Sequence, residues 1–189
     1  MKSYLLGIDI GTSGCKAAVF DRNGTVIASA SQAYPVYYPK PGWAEQDPND
    51  WWAAVCNTVR KIVKPDCVCS SCNCVHPGDI AGIGIDGQSW SAIAVDENGT
   101  VLTNTPIWMD TRAQDICDEL NARISDREGS DAIFRLSGNS LQPSYTTAKI
   151  LWYQRNLPDV YKKTHKILQS NSYIAYKLTG VMSQDVSQG

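Results

Sequence analysis

The side chains best suited to chemistry gather in one short stretch near the start of the chain, residues 7–16. A carboxylate, Asp9, ends an apolar run, and a turn rich in glycine and hydroxyl side chains follows it. Glycines such as Gly11 and Gly14 let backbone N–H groups approach a bound anion, while hydroxyls and a lysine add donors and positive charge. A carboxylate repels phosphate, so its place here makes sense if it holds a hydrated Mg²⁺ that bridges to phosphate oxygens. The candidate phosphate and magnesium residues are Asp9, Gly11, Thr12, Ser13 and Lys16.

A plainer interpretation of the same stretch is a β-hairpin whose turn happens to contain glycine and serine. The stretch lacks the GxxxxGK[ST] pattern of a Walker loop, so it would be a different type of nucleotide-phosphate turn. Taken alone, the string D-x-G-T-S does not separate the two interpretations. The rest of the chain has to decide between them.

A second concentration of reactive side chains lies in the segment 64–78, which we expect to be a Cys-rich loop insertion between two elements. The chain has seven cysteines and starts without a recognisable secretion signal, which favours reduced thiols over a disulfide framework. Four thiolates could bind Zn²⁺, but one CxxC flanked by two CxC steps is tight for a single tetrahedral ion. A surface loop that tolerates cysteine is the alternative. The candidate metal ligands are Cys67, Cys69, Cys72 and Cys74.

The composition is that of an ordinary globular protein. The 189 residues are 43% hydrophobic and 19% charged, with a net charge of −2, and they can bury a sizeable core. No basic patch indicates nucleic-acid binding, and no apolar run approaches the length that spans a membrane. We therefore expect a cytoplasmic location with no nucleic-acid or membrane partner. The length predicts one domain, or one domain and a fragment of another.

The first third of the chain predicts a three-stranded meander followed by a helix. Strands at about 3–10, 15–21 and 25–32 are joined by the glycine turn and by the hairpin signal DRNG. Asp47 is a good N-cap and Pro48 suits the first helical position, so a helix should run from there to about residue 63.

The next region repeats this pattern. Residues 84–101 resemble residues 7–26, with the same Gly-Ile-Asp start and the same Asp-x-Asn-Gly-Thr-Val end, but are two residues shorter in the middle. They predict a second hairpin, although shared turn chemistry alone could explain the likeness. Strands interspersed with helices indicate an α/β domain. The expected strands are 80–85, 91–95 and 100–104, the expected helices run from about 113 to 125, 129–137, 146–156 and 170–178, and a turn is expected at 159–163.

Five landmarks now stand in order along the chain, and together they are far more specific than any one of them. They are GIDIGTS at 7–13, GWAEQDP at 42–48, GIGIDGQ at 82–88, IWMDTR at 107–112 and KILW at 149–152. The set resembles the N-terminal part of the FGGY family of carbohydrate kinases, most of all its xylulokinase branch. The resemblance covers essentially the whole chain apart from the Cys-rich loop.

The resemblance implies a ribonuclease-H-like fold of the actin/hexokinase-like ATPase type. Residues 1–189 would be the N-terminal domain of a two-domain sugar kinase, incomplete at its C-terminal end. Such a kinase uses ATP and Mg²⁺ and transfers the terminal phosphate of ATP to a primary hydroxyl of a sugar or polyol. The family's general-base aspartate would lie beyond Gly189, so no catalytic residue is expected here and the isolated chain should be inactive. Its partners would be the small sugar, the missing C-terminal kinase domain and, as a further expectation, a second copy in a homodimer.

The resemblance also implies where the sugar binds. An aromatic face packs on C–H groups of a sugar, while carboxylate, amide and guanidinium groups bind its hydroxyls. Trp108 could instead be a core residue, and Asp110 and Arg112 could be the cap and first turn of a helix. The residues that match substrate positions of the family are Gln88, Ser89, Trp90, Trp108, Asp110 and Arg112.

One departure from the family pattern bears on the substrate. Typical xylulokinases carry a Met-His pair where Ser89 and Trp90 stand, so an imidazole partner for the sugar is missing. A ketopentose other than xylulose, a deoxy-ketose or a polyol is therefore open. Two other classes of function are also open: a noncatalytic sugar-binding or regulatory module, and a metal-binding module built on the Cys-rich loop.

Overall fold

A computed structural model of the chain describes residues 4–66, 74–129 and 131–186. These residues form eight strands and six α-helices that divide into two compact units. The first unit contains the residues up to Val36, Asp47–Gln88 and Ser170–Asp185; the second contains Tyr37–Gln46 and Ser89–Gln169. The strands are β1 Tyr4–Ile10, β2 Gly14–Phe20, β3 Val26–Ala33, β4 Glu45–Gln46, β5 Ile80–Gly87, β6 Ile93–Val95, β7 Thr105–Pro106 and β8 Lys166–Leu168. The helices are α1 Pro48–Ile62, α2 Gln114–Glu128, α3 Ala132–Ser137, α4 Thr146–Asn156, α5 Pro158–Lys163 and α6 Ser170–Thr179.

The first unit is built on a four-stranded sheet with the order β3-β2-β1-β5. β1, β2 and β3 form an antiparallel meander, and β5 pairs in parallel with β1. The apolar residues Leu6, Ile8 and Ile10 alternate along β1 and are buried, because side chains of a strand point alternately to its two faces. The other face carries the exposed apolar side chain of Leu5, which is 55% exposed.

Helix α1 forms where the sequence places its start signals. The side chain of Asp47 accepts a hydrogen bond from the Asn49 N–H at 2.8 Å, and Pro48 occupies the first turn, where a missing N–H costs nothing. One apolar face of α1, with Trp51, Val55 and other residues, is buried in this unit. The helix packs against β2, β3 and α6.

The second unit contains two short antiparallel ribbons, β4 with β7 and β6 with β8, together with α2 to α5. Its core is formed by side chains from the β6 segment, α2 and α4. The buried members are Ala92, Ala94, Ala113, Ile116, Cys117, Ala148, Trp152 and Tyr153.

The predicted meander, helix α1 and the α/β mixture are confirmed, but three predictions for later parts of the chain are wrong. The expected strand 100–104 is reduced to one bridge between Val95 and Val101, and the regular pairing falls at β7 instead. The expected turn at 159–163 is helical, as α5, because Pro158 opens a helix. The second hairpin does not form as a β5–β6 pair, since β5 pairs with β1 and β6 with β8.

Three members of the predicted metal set, Cys67, Cys69 and Cys72, lie outside the described residues. Cys74 is disulfide-bonded, so the expectation of a reduced thiol is wrong for this residue, and a thiolate ligand would first require reduction of that bond. Val63, just before the segment, pairs with Val75 inside it, and the Lys64 N–H donates to the Val75 carbonyl at 3.0 Å. Within the described ranges no cluster of three or more His, Cys, Asp or Glu side chains could hold a metal ion. The metal assignment therefore stays a prediction.

No helix in the described part of the chain is both long enough and apolar enough to cross a membrane.

Candidate functional site

The turn that follows β1 is held by hydrogen bonds from two directions. Within the turn, the Gly11 N–H donates to the Gly14 carbonyl at 3.1 Å. From the end of β3, the buried Tyr34 hydroxyl donates to the Gly11 carbonyl. Burial raises the pKa of Tyr34, so this hydroxyl stays a neutral donor at ordinary pH. The sequence reasoning missed Tyr34, because its partner is 23 residues away and no local pattern connects the two.

Asp9 lies between two strands that each place a charged residue opposite it. In the sheet, Asp9 is in register with Lys16 of β2 and with Asp86 of β5. All three side chains line a concavity of about 500 Å³ on the open face of the sheet, together with small residues such as Gly7 and Gly84. The structure therefore brings the predicted Asp9 and Lys16 together, and it adds a second carboxylate beside them.

The two glycines of the turn serve different purposes. A Cβ on Gly14 would lie 2.6 Å from the Gln32 carbonyl oxygen, so Gly14 is required by the close approach of β3. A Cβ on Gly11 would occupy the space 3.8 Å from Asp9 Oδ2 and 3.1 Å from the Gly14 carbonyl oxygen. The absence of a side chain at Gly11 thus leaves room beside the carboxylate. That both glycines admit an anion stays a prediction, and at Gly14 strand packing already accounts for the glycine.

This donor set fits a magnesium–phosphate group. Asp9 offers carboxylate oxygens, which are the hard ligands that Mg²⁺ prefers, with open space next to them. Ser13 and Lys16 are exposed beside the turn and could donate to phosphate oxygens, and Thr12 is part of the same turn. If the group binds here, Asp9 would hold the metal and the turn would face the phosphates.

The predicted sugar residues fall into two groups. In the first unit, Gln88 follows β5; its N–H donates to the Ile10 carbonyl at 2.8 Å, and its own carbonyl accepts from the Ser170 hydroxyl at 2.8 Å. In the second unit, Ser89 is exposed, and the rings of Trp90 and Trp108 are 41% and 42% exposed. Trp108 is therefore not a core residue of the described structure.

Asp110 and Arg112 have buried side chains in the interior of the second unit. Asp110 is fully buried, and its carboxylate accepts hydrogen bonds from the Ala44 N–H at 2.6 Å and from the Arg112 side chain at 2.8 and 2.9 Å. Arg112 also donates to Glu45 at 2.7 Å, and its guanidinium lies 3.9 Å from the centre of the Trp43 ring. The charged groups of Asp110 and Arg112 are thus hydrogen-bonded to other groups of the protein.

The ion pairs outweigh burial in this network. Burial alone would disfavour the charge of Arg112, but the bonds to Asp110 and Glu45 raise its pKa. Buried charges persist when they are paired and hydrogen-bonded in this way. The helix interpretation of these residues is also not observed, because α2 begins at Gln114 after Ala113. Sequence reasoning could not find the network, since Glu45 is 67 residues from Arg112.

Lys149 is a further residue whose importance the sequence did not reveal. It is fully buried in α4, and its ammonium donates to the Trp90 carbonyl at 2.6 Å and to the Ile107 carbonyl at 2.8 Å. Burial lowers the pKa of Lys149 to about 7, with the nearby Asp110 raising it and Arg112 lowering it further. The only signal in the sequence was the position of Lys149 in the KILW landmark, to which no function was assigned.

The sheet order, with an acidic residue and a Gly/Thr/Ser turn after the first strand, defines the class of fold. It is an α/β unit of the ribonuclease-H-like, actin/hexokinase-like ATPase type. Residues 4–189 match the FGGY family of carbohydrate kinases, N-terminal domain. The chain belongs to this family.

Curated relatives agree with this family. A xylulose kinase from Klebsiella pneumoniae is 32% identical over 182 residues, which cover 96% of this chain and 35% of that protein. A glycerol kinase from Thermococcus onnurineus is 28% identical over 191 residues, covering 99% of this chain and 36% of that protein. This chain thus spans about a third of the length of the curated relatives it matches.

Solved structures of sugar kinases also match this chain over about a third of their length. The xylulose kinase from Rhodospirillum rubrum superposes with a TM-score of 0.84 at 29% identity, covering 96% of this chain and 35% of that one. A gluconate kinase from Lactobacillus acidophilus superposes with a TM-score of 0.82 at 28% identity, covering 100% of this chain and 35% of that one. The expected resemblance to the N-terminal part of a sugar kinase is confirmed.

Proposed function

We propose that this chain is the N-terminal part of an ATP-dependent sugar kinase that phosphorylates a primary hydroxyl of a ketopentose or a related sugar or polyol. The observation that carries the proposal is the end of β1. There Asp9 and Lys16 line one open concavity, next to a turn whose shape is fixed by the Tyr34 hydroxyl. A fixed turn of donors beside a carboxylate suits a metal-bound phosphate, because phosphoryl transfer depends on positioning and on charge stabilisation.

On the phosphate side, we assign distinct tasks to the residues of the turn. Asp9 would hold Mg²⁺, which neutralises negative charge on the phosphates when bound. The hydroxyls of Thr12 and Ser13 and the ammonium of Lys16 would donate to phosphate oxygens, and Gly11 leaves them room. A general base is expected from the part of the full-length protein beyond residue 189, by resemblance to the family.

On the sugar side, we assign contact with the substrate to Trp90 and Trp108, with Ser89 as a polar partner. The exposed rings of the two tryptophans support this choice, since aromatic faces pack against the C–H groups of sugars. Asp110 and Arg112, which the resemblance placed at the sugar, would act from beneath by fixing the segment that carries Trp108. The ion pairs of the Arg112 guanidinium with Asp110 and Glu45 favour this structural role.

The substrate class rests on the relatives and on one departure. The named relatives are kinases of xylulose and of glycerol, and one solved neighbour is described as a gluconate kinase. The pair Ser89 and Trp90 offers a hydroxyl and a large aromatic face, which favours a substrate with an extended C–H surface. We therefore favour a ketopentose or deoxy-ketose over glycerol.

The test is an assay of ADP release over a panel of ketopentoses, deoxy-ketoses and polyols, with MgATP. The complete protein should turn over at least one of them, and residues 1–189 alone should not. Loss of a positioned base alone typically costs about 10²–10⁴-fold in rate. Robust turnover by residues 1–189 would refute the division of labour proposed here. Sugar binding without turnover by the complete protein would favour a noncatalytic module, and stoichiometric zinc with unfolding on chelation would favour a metal module.

A further inference from the structure

Trp90 has an unusual backbone conformation. With φ at 62°, it is the only residue other than glycine with a positive φ in the part of the chain that the structure describes. A bulky side chain in this left-handed region is strained, and such strain persists only where surrounding contacts over-determine it. Contacts around Trp90 must therefore hold it in this conformation.

The first turn of α4 and the residue before it supply these contacts. The ring of Tyr145 packs on the ring of Trp90, with 4.6 Å between their centres and 42° between their planes. The Lys149 ammonium donates to the Trp90 carbonyl at 2.6 Å. The Ser91 carbonyl accepts from the Thr146 hydroxyl at 3.3 Å. Farther from Trp90, the Ala92 carbonyl accepts from the hydroxyl of Tyr153, in the second half of α4, at 2.9 Å.

Lys149 also connects Trp90 with the second exposed tryptophan. Its ammonium donates to the Ile107 carbonyl at 2.8 Å, and Ile107 immediately precedes Trp108. One buried amine thus bonds to both segments that present exposed aromatic rings. An apolar side chain of similar length could fill the same space but could not bind two carbonyls.

We propose that Lys149, together with Tyr145, is a positioning residue for sugar recognition, which holds Trp90 in its left-handed conformation and fixes it relative to Trp108. The inference rests on the proposed function, because it assumes that these two rings contact the sugar. Lys149 does not touch the substrate; it acts through the backbone carbonyls that it binds. The recognised chemistry is the C–H face of a sugar or polyol, laid against rings whose orientation is set before binding.

The test uses the complete protein with its tryptophans labelled as 5-fluorotryptophan. The fluorine signal of Trp90 is assigned by its loss in Trp90→Phe. In Lys149→Met this signal should shift or broaden, and the KM for the sugar should rise about tenfold while kcat changes by less than about threefold. The matched control is Tyr153→Phe, which removes a hydrogen bond from the same helix to the same segment at Ala92 and should change neither quantity.

A second pair of variants covers the case in which Lys149→Met does not fold. Tyr145→Ala removes the ring that packs on Trp90 and should also move the fluorine signal and raise the sugar KM, whereas Tyr145→Phe keeps the ring and should not. In a Trp90→Ala background, Lys149→Met should raise the KM little further, because residues that act through one another are not additive. An additional tenfold increase there would overturn the proposal.

Trp90→Ala separates this proposal from the proposed function. A normal sugar KM in Trp90→Ala refutes the sugar contact itself. A raised KM in Trp90→Ala with an unchanged KM and fluorine signal in Lys149→Met refutes only the positioning role. Equal KM changes in Lys149→Met and Tyr153→Phe would also refute it, since they would show a general loss of packing.

Discussion

Residues 7–26 and residues 84–101 share a sequence pattern, and the structure reproduces that pattern down to single hydrogen bonds. In the first region, the Asp21 side chain accepts from the N–H groups of Asn23 and Thr25, both at 2.8 Å. In the second, the Asp96 side chain accepts from the N–H groups two and four residues later at 2.9 and 2.8 Å. The similarity between the two regions is therefore physical, because the same residues build the same turn.

The two regions differ in what their strands pair with. In the first, the chain returns after Asp9 and β2 pairs with β1. In the second, β5 pairs in parallel with β1, so that Asp86 lies opposite Asp9, and β6 pairs with β8. Turn chemistry is local and repeats with the sequence, whereas strand pairing depends on partners far along the chain. The same motif can thus begin a hairpin in one place and connect two units in another.

The turns after the two aspartates are also held by different chemistry. The Tyr34 hydroxyl holds the turn after Asp9, by binding the Gly11 carbonyl. The Lys149 ammonium holds the segment after Asp86, by binding the Trp90 carbonyl. The first turn is small, polar and suited to phosphate, and the second presents a large ring suited to a sugar.

The largest effect is expected at the two aspartates that lie side by side. In the complete kinase, Asp9→Asn should lower kcat by about 10²–10³-fold while largely sparing sugar affinity, because Asp9 acts on the transferring phosphate. Asp86→Asn changes the same atom in the second copy of the motif and should leave kcat within about threefold of the wild type. ADP-release kinetics and calorimetric titration with the sugar measure both quantities.

The reverse result would show that the proposed roles of the two regions are wrong. If Asp86→Asn abolishes turnover and Asp9→Asn does not, the magnesium ligand belongs to β5. If Asp9→Asn removes sugar binding, the first turn contributes to the sugar site.

The second prediction uses pH to separate the two anchors. The pKa of Lys149 is lowered by burial from 10.5 to about 7, so between these values the unfolded chain binds a proton that the folded chain does not. Stability therefore rises with pH in this window, relative to a variant without the group. The free energy of unfolding of the wild type minus that of Lys149→Met should increase from pH 7 to pH 9.

The matched variant for that experiment is Tyr34→Phe, which removes the anchor of the first turn. Burial raises the pKa of Tyr34 above its ordinary value, so the hydroxyl is protonated in both states up to pH 9. The difference between wild type and Tyr34→Phe should stay constant over the same range. Denaturant unfolding at several pH values measures both differences, and a flat curve for Lys149→Met would contradict the lowered pKa.

The sequence predicted what local chemistry decides and missed what distant contacts decide. The strands β1 to β3 and helix α1 follow from alternation, the DRNG turn and the Asp47 cap, all within a few residues of one another. By contrast, Arg112 was assigned to the sugar by the family resemblance, and no local pattern indicated its bond to Glu45, which lies 67 residues earlier. Lys149 gave no signal for the same reason, since its carbonyl partners belong to loops 59 and 42 residues away.

A smaller effect is expected at two glycines, one in each region. Gly14→Ala should lower the free energy of unfolding by about 1–3 kcal/mol, because the new Cβ would lie 2.6 Å from the Gln32 carbonyl oxygen. Gly84→Ala should change it by less than about 0.5 kcal/mol, because nothing lies within 4 Å of its Cβ position. Thermal unfolding measures the stability of the two variants. Equal melting temperatures would show that β3 moves away from residue 14 without a loss of stability.

The smallest expected effect is a stability difference between glycine and alanine variants, which depends on the backbone conformation at Trp90. At Trp90 the φ of 62° favours glycine, so Trp90→Gly should be more stable than Trp90→Ala by about 1 kcal/mol. At Ser13, in the turn of the first region, φ is not positive, so the order of stability should reverse. Ser13→Ala should be more stable than Ser13→Gly by about 0.4–1 kcal/mol, because glycine loses more conformational entropy on folding. The four variants are compared by denaturant unfolding under one condition. If alanine is the more stable substitution at both positions, the left-handed conformation of Trp90 costs nothing, and the contacts from Tyr145 and Lys149 are not holding a strained residue.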